Sequence, residues 1–172
     1  EGDYGISKNP ESFAQESYRA YFVDKQRGAV LRLSKNGLTP ISEAGMSTWF
    51  KDELKKPQYN IIGSYDHYKK DYNLTLDGGS GTSSDSYTLT YSEDVKGWVS
   101  FKSFIQESGI SMSGDYYTFK GGRCYKHHHD ESIVNRNTFY LVDVLTAPDT
   151  NPFKDSSICL LYTSDAADDL TR

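Results

Sequence analysis

Two neighbouring segments, Asn73-Leu74-Thr75-Leu76 and Thr88-Leu89-Thr90-Tyr91, alternate polar and apolar side chains along the chain. Successive side chains of a β-strand point to opposite faces of a sheet, so this alternation predicts two half-buried antiparallel strands. The Gly- and Ser-rich stretch between them, Asp77 to Asp85, predicts a flexible loop. These segments favour a mainly β fold.

Similar short runs of aromatic and β-branched residues lie on both sides of this pair. A hairpin is predicted at Tyr18 to Asp24 and Ala29 to Ser34, because Gly28 between them can supply a positive φ. The other predicted strands are Leu38 to Ile41, Tyr59 to Tyr65, Tyr72 to Leu76, Tyr87 to Tyr91, Gly97 to Phe101, Tyr116 to Phe119, Arg123 to His127 and Thr138 to Leu145. The chain is therefore expected to form antiparallel sheets.

One segment has a helical period instead. Its apolar residues have the spacing that places side chains on one face of a helix: Met46, Trp49, Phe50 and Leu54. The segment predicts one short amphipathic helix at about 43–56, with Ser42 as its N-cap and Pro57 as the residue that stops it. The apolar face of this helix is predicted to pack on the core.

Two hairpins share a local pattern in which an aromatic strand ends in Asp before a basic turn. The pattern occurs at Phe22-Val23-Asp24 and at Ser64-Tyr65-Asp66, and the two Asp residues are 42 positions apart. One four-stranded propeller blade takes about 40–45 residues. We therefore favour part of a β-propeller as the architecture, with a β-sandwich as the alternative.

The two ends of the chain differ from the β-rich stretch between them. Residues 1–17 are polar and are interpreted as a linker or the remnant of a preceding element, while 18–158 are interpreted as an incomplete β-rich domain. The chain starts at Glu1 without a signal-peptide pattern, so a longer reading frame is expected. Cys159 to Arg172 resemble a translated sequencing-library adapter, which predicts a non-native tail at 159–172.

Composition argues against two classes of partner. The formal net charge is -5 and the 19 Lys and Arg residues are scattered among acids, so no nucleic-acid surface is predicted. No run approaches the roughly 18 consecutive apolar residues that cross a bilayer, and mean hydropathy is -0.68, so no membrane insertion is expected.

The side chains that could carry chemistry do not form a recognisable constellation. His127-His128-His129-Asp130-Glu131 contains metal-ligand types, but adjacent side chains of a strand point to opposite faces. The pairs Asp52-Glu53 and Glu93-Asp94 are interpreted as helix-surface and turn charges, because glycosidase carboxylates must face each other across a cleft. No catalytic, cofactor-binding or metal-binding residue, and no enzyme activity or cofactor, is therefore predicted.

Tyrosines are the remaining candidates for a contact surface. Tyr is enriched at interfaces, although cross-strand packing in the sheets is the favoured interpretation for most of them. The candidates are Tyr65, Tyr68, Tyr72, Tyr87, Tyr91, Tyr116, Tyr117 and Tyr125.

Four segments, in this order, resemble a family of large structural proteins of tailed phages, which includes marine myovirus-like and crAss-like virions. They are Tyr21 to Ser42, Val95-Lys96-Gly97-Trp98-Val99-Ser100-Phe101-Lys102-Ser103-Phe104-Ile105, Tyr116-Tyr117-Thr118-Phe119-Lys120 and Asn135-Arg136-Asn137-Thr138-Phe139-Tyr140. The resemblance spans most of residues 18–158 and carries no catalytic signature.

The resemblance implies a structural component of the virion, assembled in the host cytoplasm, with a tail, neck-associated or stabilisation role. Its partners would be other virion subunits and copies of itself, held by protein–protein packing. The alternative function is a receptor- or glycan-binding module of a phage tail protein, with a host-surface receptor or glycan as partner. Exposed tyrosines lining a cleft with convergent carboxylates would favour the alternative, and packed sheets would favour the structural role.

Overall fold

The computed structural model describes residues 4–79 and 86–128, and the backbone of residues 142–143. The described residues form three four-stranded sheets and one α-helix. The first sheet contains β1 (Ala14–Glu16), β2 (Arg19–Asp24), β3 (Ala29–Ser34) and β4 (Gly37–Pro40). The second sheet contains β5 (Asn60–Asp66), β6 (Asp71–Asp77), β7 (Tyr87–Ser92) and β8 (Gly97–Lys102). The third sheet contains β9 (Ser108–Met112), β10 (Asp115–Lys120), β11 (Arg123–Lys126) and β12 (Val142–Asp143).

Every strand in these sheets pairs antiparallel with its neighbour in the chain, so each sheet is a four-stranded meander. The predicted fold class, mainly β with antiparallel sheets and one short helix, is confirmed. Over residues 4–79, 86–128 and 142–143 the sheets close into neither a barrel nor a propeller. The propeller therefore stays a prediction.

Neighbouring sheets contact each other through their first strands. β1 lies beside β5, and β5 lies beside β9. These strands begin at Ala14, Asn60 and Ser108, which are 46 and 48 residues apart. The chain thus repeats one unit, a four-stranded meander whose first strand lies against the first strand of the next meander.

Two glycines allow β5 to approach the 3-10 turn before β1, and β9 to approach β5. A Cβ atom on Gly63 of β5 would overlap the backbone carbonyl of Ser12, and one on Gly109 of β9 would lie 2.8 Å from Ser64 Cβ. Real Cβ atoms do not show such contacts, so only glycine fits at either position.

The repeat predicted from Asp24 and Asp66 does not correspond to this unit. Asp24 ends the second strand of the first sheet, whereas Asp66 ends the first strand of the second sheet. The two side chains instead share a local role, because each closes a hairpin: Asp24 Oδ1 accepts from Arg27 N at 3.0 Å, and Asp66 Oδ1 accepts from Tyr68 N at 2.9 Å. The shared pattern therefore indicates a hairpin turn and does not mark the repeat of the four-stranded sheet.

Strands β5, β6 and β7 of the second sheet are buried on both faces, and the prediction of half-buried strands was wrong for β6 and β7. Leu74 and Leu89 pack in the apolar core, yet the alternating Thr75, Thr88 and Thr90 are also fully buried. Polar alternation did not indicate solvent, because these hydroxyls are paired where they are buried: Thr75 Oγ1 with Thr88 Oγ1, Thr88 Oγ1 with Phe104 O, and Thr90 Oγ1 with Asn73 Oδ1.

The helix α1 (Ser47–Glu53) is shorter than the predicted 43–56. Residues 41–43 form a separate 3-10 turn, and Gly45, with φ of 99°, interrupts the helical path, so Ser42 is not the N-cap. The predicted apolar face is confirmed, since Phe50 and Leu54 are fully buried and Met46 and Trp49 pack against the core.

The segment 1–17, interpreted as a linker, contains part of the first sheet. A 3-10 turn at Pro10–Ser12 precedes β1, whose Ala14 pairs with Tyr21. Asn9 Nδ2 donates to Ile61 O at 2.6 Å, and Ser12 Oγ accepts from Val23 N at 2.9 Å. These residues join the fold through hydrogen bonds, which hydrophobic periodicity does not detect.

Two further differences concern the third sheet. Its first strand, β9 (Ser108–Met112), was not predicted, because three of its five residues are Gly or Ser. Of the predicted strand Thr138 to Leu145, only residues 142–143 are described, as β12. The predicted tail at 159–172 and the domain boundary at 158 lie outside the described residues.

Candidate functional site: the contacts between the sheets

The contact between the first and second sheets is largely apolar and aromatic. Tyr21 of β2 stacks on Tyr72 of β6 with ring centroids 4.8 Å apart, and on Tyr65 of β5 at 5.6 Å. Val23, Val30, Leu74 and Leu89 belong to the same buried cluster. Side chains of both sheets therefore form one continuous core.

A carboxylate from the second sheet holds polar groups of the first sheet at this contact. Glu93, in the turn after β7, accepts a hydrogen bond from Tyr21 Oη at 2.6 Å and one from Arg32 Nη1 at 2.9 Å. Arg19 Nε lies 3.6 Å from Glu93 Oε2. Burial and the neighbouring Glu93 carboxylate raise the pKa of Tyr21, so the phenol stays protonated and donates.

Sequence reasoning placed Glu93 in a turn, which is correct, but missed its contacts with the first sheet. Arg32 and Glu93 are 61 residues apart and lie in different sheets. A turn carboxylate has no local signal for a distant arginine. Asp94, the other member of the pair, is exposed, and Asp52 and Glu53 lie on α1 as predicted.

The contact between the second and third sheets is polar. Ser64 Oγ, Tyr116 Oη and Gln106 form a closed hydrogen-bonded group, with Ser64 to Tyr116 at 2.7 Å and Gln106 Nε2 to Ser64 Oγ at 2.8 Å. Thr88 Oγ1 donates to Phe104 O at 2.6 Å, in the segment that leads to the third sheet. All of these polar groups are buried and paired, which makes the contact directional.

The predicted histidine cluster lies at the same contact. His127, just after β11, is 1% exposed and its Nε2 is 2.8 Å from Thr118 Oγ1. His128 has a φ of 59°, its Nε2 is 2.6 Å from Asp66 Oδ2, and its ring stacks on Tyr68. The two imidazoles are thus used for contacts within the protein.

No group of three metal-ligand side chains occurs within the described part of the chain. His129, Asp130 and Glu131 of the predicted cluster lie outside it. The sequence did not indicate that Asp66, which precedes His128 by 62 residues, is the hydrogen-bond partner of this histidine.

Asp66 and His127 have shifted proton affinities. Burial raises the pKa of Asp66, but hydrogen bonds and charge from His128 and the backbone N–H groups of Lys69 and Tyr68 outweigh it, so the pKa lies below its usual range. Burial and the neighbouring His128 lower the pKa of His127 to about 4. At neutral pH, Asp66 is therefore an anion and His127 is uncharged.

These groups enclose a cavity of about 10 Å³, lined by Asp66, Asp71, Asn73, Lys102, Phe104, Tyr116, His127 and His128. Such a volume holds about one water molecule at most. Burial lowers the pKa of Lys102 and raises that of Asp71. The cluster has acid and base groups, but its geometry joins two sheets and leaves no room for a substrate.

The candidate tyrosines mostly pack inside the protein. Tyr65, Tyr72, Tyr91 and Tyr116 are at most 6% exposed, so cross-strand and inter-sheet packing is confirmed for these four. Tyr87, Tyr117 and Tyr125 are partly buried, and Tyr68 is 50% exposed. The set does not form one aromatic surface.

None of the helices in the described residues is long and apolar enough to cross a membrane.

Comparison with known proteins assigns the chain to a family. No curated protein matches the sequence. The family model described as "Crassvirus muzzle protein" matches residues 2–122, which include the first and second sheets, β9 and β10. The chain therefore belongs to the crassvirus muzzle protein family, the virion structural proteins of crAss-like phages.

Proposed function

We propose that the protein is a non-catalytic subunit of the tail or neck region of a crAss-like phage virion, and that it works by packing against copies of itself and neighbouring virion subunits. The single observation that carries this proposal is the family match over residues 2–122. A stabilising role is consistent with sheets joined through an aromatic core and a directional polar network.

The inter-sheet contacts support a role in rigid assembly. Strands β5, β6 and β7 of the second sheet are covered on both faces, and the buried polar groups named above at the second contact are hydrogen-bonded. A fully paired buried network fixes one relative position of two elements, because any displacement leaves polar groups without partners.

The receptor- or glycan-binding alternative has less support. A glycan site would combine exposed aromatic rings with polar groups in a cleft. Among the candidate tyrosines, Tyr68 is the most exposed, and its ring stacks on His128. The aromatic residues that suggested a glycan surface are mostly used in the core.

Labelling of the virion tests the proposal. Antibodies raised against the purified chain would be applied to intact virions of a crAss-like phage that encodes the protein, with gold-conjugated detection in the electron microscope. We expect gold particles at the tail or neck. The control is the same antibody after absorption with the purified chain, which should remove the label.

Label confined to the capsid shell, or protein found in infected cells and absent from purified virions, would overturn the tail or neck role. A glycan array probed with the purified chain tests the receptor- or glycan-binding alternative. Selective glycan binding that is lost in Tyr68→Ala would favour the receptor-binding module.

A further inference from the structure

A cavity of about 440 Å³, open towards solvent, lies beside the helix α1. Its volume falls within the roughly 300–1,000 Å³ that is typical of small-molecule sites. The residues that line it are Glu43, Gly45, Met46, Ser47, Thr48 and Trp49. The cavity is therefore large enough for a ligand, unlike the cavity of about 10 Å³ at the polar contact between the sheets.

Other aromatic rings hold the indole of Trp49 in one orientation. The ring centroid of Phe50 lies 5.1 Å from that of Trp49, and those of Tyr87 and Phe101 each lie 6.0 Å from it. All three contacts are edge-to-face, which is a favourable geometry for aromatic pairs. Trp49 is nevertheless only half-buried, and Phe101 is 55% exposed. The cavity thus borders a fixed aromatic ring that loses little conformational freedom when a ligand binds.

The polar side chains of the cavity are a carboxylate and two hydroxyls. Glu43 and Thr48 are exposed, and Ser47 is half-buried. The Glu43 carboxylate forms no ion pair with any residue in the described part of the chain. A carboxylate accepts hydrogen bonds, whereas a hydroxyl both donates and accepts them. The cavity therefore offers hydrogen-bonding groups beside an apolar ring.

A sugar ring matches this combination of groups. The C–H groups on one face of a pyranose can pack on an aromatic ring, and its hydroxyls can donate to a carboxylate. An acidic sugar is disfavoured, because it would bring a second negative charge close to Glu43. We propose that the cavity binds an uncharged pyranose unit of a polysaccharide, which packs on Trp49 and donates a hydroxyl hydrogen bond to Glu43.

This inference goes beyond the packing role proposed above and does not depend on it. Nitrogen–proton correlation NMR of the purified full chain tests it, because the chain has 2 Trp residues and each gives its own indole N–H signal. The uncharged probes are cellobiose, lactose, mannobiose and diacetylchitobiose, and the acidic probe is glucuronic acid. We expect at least one uncharged probe to shift the Trp49 signal in a saturable way, and glucuronic acid to leave it in place. The Trp98 signal is the internal reference, since Trp98 Nε1 donates to Ile41 O at 3.0 Å within the protein.

Two substitutions at exposed positions test the cavity directly. Thr48→Arg places a long side chain in the cavity and should raise the Kd of the bound probe at least about tenfold. Ser17→Arg is the matched control, because Ser17 is exposed in the turn between β1 and β2, outside the cavity, and it should leave the Kd unchanged. Glu43→Gln keeps the shape of the side chain and removes its charge. This variant should bind the uncharged probe more weakly and should no longer reject glucuronic acid.

Far-UV circular dichroism and thermal unfolding would show that each variant is folded. If Thr48→Arg fails to fold, Glu43→Gln still tests the cavity through the change in preference between the uncharged and the acidic probe. An unchanged preference in Glu43→Gln would contradict the assigned role of the carboxylate.

An unshifted Trp49 signal with all four uncharged probes would overturn the inference. Binding that Thr48→Arg leaves intact would also overturn it, and loss of that binding in Tyr68→Ala would place the sugar at the turn after β5 instead. Label at the tail or neck of virions without sugar binding would remove only this inference. Sugar binding without such label would remove only the proposed tail or neck role.

Discussion

Gly63 illustrates how a single missing Cβ atom determines the position of the first sheet against the second. The carbonyl oxygen of Ser12 occupies the space where a side chain would be, and Tyr72 Oη donates to that oxygen at 2.8 Å. The close approach and the hydrogen bond therefore depend on the same glycine.

We predict that Gly63→Ala lowers the free energy of unfolding by about 3 kcal/mol, since the added methyl group meets backbone that cannot move without breaking the hydrogen bond. Gly97→Ala is the control, because a Cβ atom on Gly97 has its nearest neighbour at 4.0 Å. It should change stability by about 0.5 kcal/mol or less. Urea unfolding of the two variants gives the comparison, and equal losses would contradict the steric explanation.

The lowered pKa of His127 predicts that the free energy of unfolding depends on pH. Its pKa is about 4 in the folded protein and 6.5 when unperturbed, so the unfolded chain binds the proton more readily. The contribution of neutral His127 to the free energy of unfolding is fully present above pH 6.5 and declines as the pH falls from 6.5 towards 4. The loss should reach about 3 kcal/mol.

Asp66 does not contribute to the loss of stability between pH 6.5 and 4. Its pKa is lowered from 3.8, so its contribution is present above pH 3.8 and is lost only below that value. We expect His127→Gln to flatten the decline between pH 6.5 and 4 in urea titrations, and His67→Gln, which alters an exposed turn histidine, to leave it unchanged. An unaltered slope in His127→Gln would show that another group titrates.

At the scale of elements, the turn after β7 joins the first and second sheets through Glu93. Removing this carboxylate leaves Tyr21 Oη and Arg32 Nη1 without the acceptor that both use, in a site where the Glu93 side chain is 9% exposed. Buried donors and charges that lose their partner cost more than the net gain of forming the pair.

Glu93→Ala should therefore reduce the free energy of unfolding by roughly 2–4 kcal/mol. Asp94→Ala removes an exposed carboxylate from the next position of the same turn and should cost about 0.5 kcal/mol or less. Chemical denaturation with a constant m-value would measure both. A loss in Asp94→Ala as large as in Glu93→Ala would mean that turn charge, and not the contact with the first sheet, stabilises the protein.

The elements that could be predicted from the sequence are those with a strong local signal. Ala29–Ser34 was predicted with its observed bounds, because Gly28 and Asn36-Gly37 mark both ends. β1 and β9 were missed, since polar and glycine residues form them through pairing with neighbours. The contacts of Asp66 with His128 and of Glu93 with Arg32 could not be predicted, because each joins residues about 60 positions apart.

Over the whole molecule, the two inter-sheet contacts differ in chemistry and should differ in their response to acid. The first is a continuous apolar and aromatic core, whereas the second is a hydrogen-bonded network that includes His127. Between pH 6.5 and 4, His127 binds a proton in the opened contact but not in the closed one, so acid favours opening of the second contact. The third sheet should therefore separate from the second before the first contact opens.

Hydrogen exchange followed by mass spectrometry, at pH 7 and pH 5 with rates corrected for the intrinsic effect of pH, would measure this order. We expect peptides covering β9 and β10 to lose protection at pH 5, while peptides covering β2 and β3 keep theirs, because local opening follows the weakest contact. In His127→Gln the protection of β9 and β10 should no longer depend on pH over this range. Simultaneous loss of protection in both sheets of the wild-type chain would show that the three sheets unfold as one cooperative unit, and that the histidine contact does not divide them.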